Sequence, residues 1–400
     1  MIPVRAAIAS GVLLALALLP RGVEASPSFA RKYYVSCSNC HARAYPELNA
    51  FGRRFQENGY QYPEGSEPAY RERSSKSPGT ILERIGLLRE LPLAARAVGF
   101  IEVPTDPTAS GRNSVNLKLL QNLYLIGGGS LYQDISFFFS GSIAPVPMLH
   151  HATIGFHNLF FGEGHLNLRV GELLLFDFTH PEHRSLTRIG NLAATVHVGL
   201  NPTMLDTSHM GAEVYGRLFK RHLFYQLAVV QGAQGIDTIT DIDSYKDLFG
   251  QLQLTLRDRY TVGALGYYGR TQIDDKARLV DVRFTDRLWI AGGDLELDLG
   301  PISIFGYGLY GHHDNPRGLG TGASYIGVHG DVKASLHRDL FAIVRFDGVI
   351  SSDDTTLEKR VVSANLTYLL LTNLKLSAEF DADLMSFNRS TAYCIVDVAM

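Results

Sequence analysis

The chain has 400 residues and a formal net charge of −3, and 46% of its residues are hydrophobic. The absence of a basic excess argues against a protein dedicated to nucleic acid, and the apolar content excludes disorder over most of the chain. Glycine is abundant at 39 residues, and there are 19 tyrosines and 21 phenylalanines but one tryptophan. This mixture favours strands and turns over a helical enzyme.

Residues 1–25 predict an export signal. Arg5 precedes an apolar run over 6–19, and Val23-Glu24-Ala25 supplies small residues at positions −3 and −1 of a cleavage site. An uncleaved anchor is the alternative, but this apolar run is shorter than the roughly 20 residues that span a bilayer. We therefore expect the mature chain to begin at Ser26, outside the cytoplasm.

The cysteines predict a covalently bound haem. Cys37-Ser38-Asn39-Cys40-His41 has the C-x-x-C-H pattern of c-type haem attachment. Two thiols at this spacing can add to the two vinyl groups of haem, and the adjacent imidazole then faces the iron as proximal ligand. The alternatives are a disulfide or half of a zinc site. A zinc site would need further ligands, and residues 42–149 contain neither Cys nor His. Cys394, the third cysteine, is interpreted as an unreactive strand residue.

The haem segment, residues 26–60, is too small to form a complete cytochrome. A helix is expected to begin at Pro46, with an apolar face formed by Leu48, Phe51, Gly52 and Phe55, and to end at Asn58-Gly59. Residues 61–93 are interpreted as a linker with a short helix. Because this cover is thin for a porphyrin, we expect the haem segment to rest against, or inside, the following domain as a plug.

The sixth ligand of the iron is left open by the sequence. Residues 26–147 contain no Met and no His other than His41. A conventional distal ligand must therefore come from the rest of the chain, where His209 and Met204 are the candidates. The alternatives are an unusual ligand (Lys32, a tyrosine or the N-terminal amine) or a five-coordinate iron.

Residues 94–400 alternate with period two. In 248–256, Leu248, Leu252 and Leu254 are interleaved with Gln251 and Gln253. Such alternation repeated over segments of about ten residues is typical of outer-membrane β-barrels, although a soluble sandwich or propeller gives the same pattern. The polar set is expected to face the lumen; it includes Arg169, Arg345, Asp347, Lys375, Glu379 and Asp381.

The lengths of the connections favour the barrel. Sixteen strands are predicted, within two, and short turns alternate with long connections, as in bacterial barrels. The long connections are placed at 104–114, 143–151, 177–209, 232–246, 271–286, 312–322, 351–357 and 384–390. The fold class is therefore all-β, a transmembrane antiparallel barrel with both termini on the periplasmic side. Sixteen strands leave a lumen wide enough for a plug.

Several segments together resemble a known family. They are Ser28–Arg31, Cys37–His41, Pro46–Phe55, Leu168–Gly171 and Gly211–Gly216. The chain is similar here to the fused monohaem cytochrome–porins of bacterial outer membranes, whose best known members are iron oxidases. The specific motif is confined to about residues 27–60. The resemblance implies that Cys37 and Cys40 hold the haem and that His41 is its proximal ligand, and it identifies no distal ligand.

The resemblance implies an electron-transfer protein, and if it is an enzyme, an oxidoreductase. The expected donor is extracellular Fe(II), and the expected acceptor is a periplasmic cytochrome or other electron carrier. The histidines of 312–314 and 150–151 are placed in outer loops as sites where Fe(II) could approach. Two alternatives stay open: the same architecture with another donor or with outward electron flow, and a solute porin whose haem is structural or sensory. Outer-membrane lipid is the expected surrounding, and no nucleic acid is expected.

Overall fold

The structure, a computed structural model, forms one closed antiparallel barrel of sixteen strands. It describes residues 28–33, 35, 37–41, 47–61, 93–106, 108, 115–132, 134–160, 164–179, 186–232, 243–275, 282–371 and 373–399. The predicted signal over 1–25 and nearly all of the linker over 61–93 lie outside these residues.

Each strand pairs with its neighbour in sequence, and β1 closes the barrel on β16. The strands are β1 Leu93–Pro104, β2 Asn116–Tyr132, β3 Ile135–Ala144, β4 Met148–Phe156, β5 Asn167–Leu174, β6 Ser208–Leu218, β7 Leu223–Val230, β8 Asp247–Leu256, β9 Tyr260–Asp275, β10 Val282–Asp298, β11 Ile302–His313, β12 Ala323–His337, β13 Leu340–Ile350, β14 Lys359–Leu371, β15 Leu374–Asp383 and β16 Thr391–Ala399. The helices are α1 Ser28–Tyr33 and α2 Ala50–Glu57, with single 3₁₀ turns at Cys37–Asn39, Thr355–Leu357 and Phe387–Arg389. Closure leaves no unpaired sheet edge in this arrangement.

The alternation predicted from the sequence is confirmed by burial. In β8, Leu248, Leu252 and Leu254 are exposed on the outside, whereas Gln251 and Gln253 are buried in the lumen. The six polar residues expected in the lumen are likewise buried; they are Arg169, Arg345, Asp347, Lys375, Glu379 and Asp381. The polar face therefore points inward and the apolar face outward.

Several buried lumen charges are paired with opposite charges, which offsets the cost of burying each of them. Nε of Arg169 donates to Glu213, whose other carboxylate oxygen accepts from Gln226 at 2.7 Å. Arg345 donates to Asp347, and Nδ1 of His329 lies 3.1 Å from that carboxylate. These networks join neighbouring strands across the inner surface of the barrel.

Residues 175–179 and 186–207, the described parts of the connection between β5 and β6, fold into the lumen, and we call them the inner loop. Arg345 of β13 donates to the carbonyl oxygens of Ile189 at 2.9 Å and Gly190 at 2.7 Å. Asn201, further along the loop, donates to Asp286 of β10 at 2.7 Å. The long connection predicted over 177–209 is thus held against β10 and β13 on the lumen side.

Two predicted outer loops were placed wrongly. The connection expected over 143–151 is only the segment 145–147, because β3 and β4 extend into it. His150 and His151 are therefore strand residues of β4. His312 and His313 end β11, and period-two alternation turns them to opposite faces: His313 is buried, while His312 is half-exposed. Neither pair forms a joint loop site.

The two ends of the barrel differ. At one end, which we call the terminus end, β1 begins and β16 finishes; at the other, the loop end, the inner loop leaves β5 and enters β6. No helix among the described residues is long and apolar enough to cross a membrane.

Candidate functional site

The C-x-x-C-H segment forms one compact turn. The backbone N–H groups of Cys40 and His41 both donate to the carbonyl oxygen of Cys37, at 3.2 and 2.9 Å. In such a 3₁₀ turn, residues i and i+3 lie on one side, so the two thiols share a face. Both cysteines are free and partly buried. The turn thus presents two thiols side by side.

The ring of His41 is oriented by the backbone. Its Nδ1 lies 3.1 Å from the carbonyl oxygen of Glu47, which can only accept, so Nδ1 carries the proton. This tautomer puts the imidazole lone pair on Nε2. Histidines that bind metals usually donate their other N–H in this way, which fixes the ring. The hydrogen bond therefore suits His41 to the role of proximal ligand.

Helix α2 is packed directly on this turn. Its N-cap residue, Asn49, accepts from the N–H of Gly52 at 2.8 Å and donates from Nδ2 to the carbonyl oxygen of Asn39 at 3.0 Å. A Cβ atom on Gly52 would lie 2.1 Å from the carbonyl oxygen of Cys40. Only glycine at position 52 permits so close an approach of the helix to the thiol-bearing turn.

The predicted start of this helix is corrected by the structure. The helix begins at Ala50 rather than Pro46, because Asn49 supplies the cap and Leu48 forms a β-bridge with His41. The predicted end is confirmed: Asn58 is the C-cap, and Gly59 adopts a φ of 65° that suits glycine.

An aromatic cluster connects the segment to the barrel wall. Phe55 is 4% exposed, and its ring centroid lies 5.3 Å from that of Phe29 in α1. Tyr60 stacks on Phe29 at 4.9 Å and on Phe138 of β3 at 4.7 Å. The segment therefore has a small apolar core that includes a side chain of the barrel.

Ion pairs from α2 reach across the lumen at the terminus end. Glu57 accepts from Arg217 of β6 through both carboxylate oxygens, each at 2.7 Å, and from Arg221 at 3.3 Å. Arg53 donates to both oxygens of Glu296 in β10, at 2.8 and 3.0 Å. Helix α2 is thus tied to strands on the β6–β10 side of the barrel.

Two further contacts complete this docking. Gln56 donates to Asp177, at the start of the inner loop, at 2.7 Å. Glu47 lies 3.8 Å from Nζ of Lys333 in β12. The segment therefore contacts the inner loop as well as the wall, and it lies inside the mouth of the barrel as a plug.

His157 lies beneath the end of the segment. Its Nε2 is 2.7 Å from Oγ of Ser136, and a Cβ on Gly59 would lie 2.1 Å from the same nitrogen. The pKa of His157 is lowered to about 4, mainly by burial and to a smaller extent by the positive charge of nearby Arg169. The neutral ring is therefore the form that supports the docked segment.

The thiols themselves are protonated at neutral pH. Burial raises the pKa of Cys37, and burial together with the neighbouring Cys37 raises the pKa of Cys40 to about 11. Among the described residues, no group of three or more His, Cys, Asp or Glu side chains is placed to hold a metal ion.

The structure does not bring the proposed distal ligands to the C-x-x-C-H turn. His209 is 1% exposed, and its Nε2 donates to the carbonyl oxygen of Met204 at 3.1 Å. Both lie at the loop end, whereas Tyr215 of the same strand donates to the carbonyl oxygen of Glu57 at 3.1 Å. Six residues of strand separate His209 from Tyr215, roughly 20 Å at 3.3 Å per residue. The assignment of either as distal ligand stays a prediction.

Sequence reasoning missed the residues that dock the plug. Glu57, Arg53 and their barrel partners are separated by more than 150 residues, so no local pattern links them. The one signal available in the sequence was charge. The apolar face of α2 is flanked by Arg53, Arg54 and Glu57, and so many charges in one small segment indicate partners outside it.

Comparison with known proteins shows the fold. The sequence matches no family model, and no curated protein sequence matches it. The outer-membrane channel DcaP of Acinetobacter baumannii aligns over 77% of this chain and 96% of its own, with a TM-score of 0.55 and 10% identity. OmpF of Salmonella typhi, in complex with daunomycin, aligns over 78% and 97%, with a TM-score of 0.53 and 11% identity.

An anion-selective porin from Comamonas acidovorans is similar in the same way. It aligns over 77% of this chain and 98% of its own, with a TM-score of 0.54 and 12% identity. At such identities the likeness establishes architecture and nothing finer. The chain has the closed sixteen-stranded fold of outer-membrane porins, and it carries a C-x-x-C-H plug in the mouth of that barrel.

Proposed function

We propose that this protein is an outer-membrane c-type cytochrome–porin that takes electrons from extracellular Fe(II) through one covalent haem and passes them to a periplasmic carrier. The observation that carries the proposal is the position of the C-x-x-C-H turn. It lies inside a closed barrel, held by the pairing of Glu57 with Arg217 and Arg221.

The residues of the turn fit a covalent haem. Cys37 and Cys40 share a face and are not joined to each other, and His41 is turned by Glu47 so that its lone pair lies on Nε2. These three residues would hold the group. When bound, haem supplies one-electron redox chemistry whose potential depends on axial ligation and burial. The chain contributes the fixed imidazole and a plug that limits water.

The outer surface supports a membrane location. Large apolar side chains on the outside of the strands are exposed; among them are Leu119, Val229, Leu252, Val344 and Leu366. A soluble protein rarely exposes so continuous an apolar surface, whereas outer-membrane barrels alternate apolar outward and polar inward residues. Lipid would cover this surface, and the predicted export signal fits the same destination.

This arrangement suits the oxidation of Fe(II), because the product, Fe(III), is insoluble. Fe(III) formed outside the cell stays outside if only the electron crosses the membrane. The plug at the terminus end would place the electron beside the periplasm, while the loop end would meet external iron. No stable iron site is required, because the donor needs only a brief approach.

The test is an anaerobic visible spectrum of the purified, detergent-solubilised protein during addition of Fe(II). We expect sharp reduced α and Soret bands to appear quickly, and none in the variant Cys37→Ser/Cys40→Ser. A haem reduced by dithionite but not by Fe(II) would favour another electron donor. A protein without any haem spectrum, after expression with a working maturation system, would contradict the proposal.

A solute porin is the second candidate, because the fold is shared with porins and the described lumen retains a cavity of about 430 Å³. Conductance in a planar bilayer separates the two functions. An electron-transfer protein closed by its plug should conduct little, whereas a porin should conduct freely.

A further inference from the structure

The lumen contains a cavity of about 430 Å³ beside the inner loop, which we call the cationic cavity. Its charged lining side chains are Arg96, Arg188, Arg345, Lys375 and Asp397. Because Arg345 is already paired with Asp347, the other three cations face one lining carboxylate, and this excess favours an anionic occupant.

One cationic centre lies on the barrel wall. Asp397 of β16 accepts from Nε and Nη2 of Arg96 at 3.1 and 2.9 Å, and it lies 2.9 Å from Nζ of Lys375. Two cations share one carboxylate here, and the trio carries a formal charge of +1. It therefore still attracts a second carboxylate.

The other cationic centre lies on the inner loop. The backbone N–H of Arg188 donates to Glu379, which fixes the loop, while the side chain is exposed to the lumen. Its guanidinium carbon lies 4.5 Å from the ring centroids of both Phe100 and Tyr393, and Nη1 donates to the Tyr393 hydroxyl at 3.3 Å. Among the described residues, this guanidinium contacts two aromatic rings and a phenol, and the carboxylate whose charge it stabilises is that of Asp381.

The uncharged lining is half polar and half apolar, and its polar side chains are Gln121, Asn122, Ser140, His150, Thr187, Asn191 and Ser377. Its apolar side chains are Val98, Phe100, Tyr124, Ile126, Leu186, Ile189 and Ile395. A matching ligand has two carboxylates for the two cationic centres and a body that contacts both apolar and polar groups. The volume lies in the range of sites for cofactors and small molecules, whereas the cavity beside α2 measures only about 40 Å³.

The thiol-bearing turn faces the same half of the barrel. Successive residues of a helix are rotated by about 100°, so Gly52 points away from Arg54 and Glu57 and lies roughly perpendicular to Arg53. The charged face binds β6, β10 and the β8–β9 turn, whereas Gly52 packs on Cys40. Cys40 therefore lies on the helix side that faces away from β6–β10. The cationic cavity occupies that side, between β13 and β3 through the β1–β16 closure.

We propose that the cationic cavity receives the two propionate carboxylates of the haem attached at Cys37 and Cys40, with Arg188 and the Arg96–Lys375 pair as their partners. The inference rests on the proposed function. A free dicarboxylate in the lumen would offer the same chemistry, so the test must distinguish the two sources.

The experiment compares holoprotein carrying Arg188→Gln or Lys375→Gln with the matched control Arg338→Gln, whose side chain is 89% exposed in the β12–β13 turn. Haem staining and far-UV circular dichroism confirm attachment and folding. Removing a cation beside a propionate favours the ferric form. We expect the ferric-to-ferrous ratio at fixed potential to rise about tenfold, equal to 59 mV for one electron. Arg188→Lys should restore the wild-type value, and Arg338→Gln should not differ from it.

Succinate binding by calorimetry identifies the source of the carboxylates. We expect succinate to bind the haem-free Cys37→Ser/Cys40→Ser variant and not the holoprotein, because the propionates already occupy the cations. The inference would be overturned in favour of a diffusible ligand by two results together. Succinate would bind the holoprotein, and Arg188→Gln would abolish that binding without changing the midpoint potential. Absence of haem from the wild type contradicts the proposed function, whereas normal haem with unchanged potentials in both variants contradicts only this inference.

Discussion

The barrel and the plug are held together in different ways. Every barrel strand is hydrogen-bonded to two neighbours, and closure of β1 on β16 makes the ladder continuous. The plug is held instead by one aromatic cluster and a few side chains such as Glu57 and Arg53. Single substitutions should therefore release the plug while the barrel remains folded, which makes the two parts experimentally separable.

The largest effect is expected from Phe55→Ala. The ring is buried among Phe29, Tyr33 and Tyr60, and its removal leaves a cavity in a core with few other members. We expect docking of the plug to lose about 3–5 kcal/mol. Hydrogen exchange by mass spectrometry should show residues 47–61 deprotected and β9 unchanged. Phe219→Ala is the control, since that ring is 72% exposed; equal deprotection in both variants would contradict the account.

Acid should also release the plug. The pKa of His157 is about 4 in the docked structure, with burial as the largest cause, against about 6.5 for an isolated imidazole, so undocking that hydrates the ring favours its protonated form. Docking is therefore fully supported above about pH 6.5 and weakens as the pH falls towards 4, by at most about 3 kcal/mol, because Arg169 and Ser136 of the barrel stay beside the ring. Exchange of residues 47–61, corrected for the intrinsic rate at each pH, should show this loss. In His157→Gln this acid-induced loss of protection should be absent. A pH profile in that variant equal to the wild-type profile would show that His157 is not the cause.

A smaller effect is expected from Glu57→Gln. The change leaves Arg217 and Arg221 without their carboxylate, but Arg221 is 31% exposed and can be hydrated. We expect docking to weaken by about 2 kcal/mol, below the 3–5 kcal/mol of a fully buried pair. Arg54→Gln breaks an exposed pair with Asp258 and should cost about 0–1 kcal/mol. The same exchange measurement compares them, and an equal loss in both would show that burial of the Glu57 pair contributes nothing.

The same difference explains what could be predicted. All sixteen predicted strands are present, because period-two alternation is local and repeats along the chain. The predicted ends of the strands were less accurate. Strand β9 extends to Asp275 and β10 begins at Val282, so both strands occupy part of the connection predicted over 271–286. Hydrogen bonding between long hairpin strands, which no local pattern records, decides where such strands stop.

The site was predicted in its chemistry but not in its surroundings. C-x-x-C-H identified Cys37, Cys40 and His41 as candidates, because attachment chemistry requires fixed spacing. The partners of Glu57 and the lining of the cationic cavity come from strands far apart in sequence, and only the closed barrel brings them together. His209 and Met204 were selected because the long connection predicted over 177–209 could fold into the lumen and supply a ligand, and the structure places them at the loop end, away from the turn.

The central claim is that the plug carries electrons through the barrel while iron stays outside. The most direct test uses vesicles that contain the protein in one orientation, enclose oxidised cytochrome c and receive Fe(II) outside under anaerobic conditions. The account predicts that enclosed cytochrome c is reduced by wild-type vesicles, while Fe(III) accumulates outside, and that Cys37→Ser/Cys40→Ser vesicles show neither change. Equal reduction in both kinds of vesicle, or none in the wild type with haem fully attached, would contradict it.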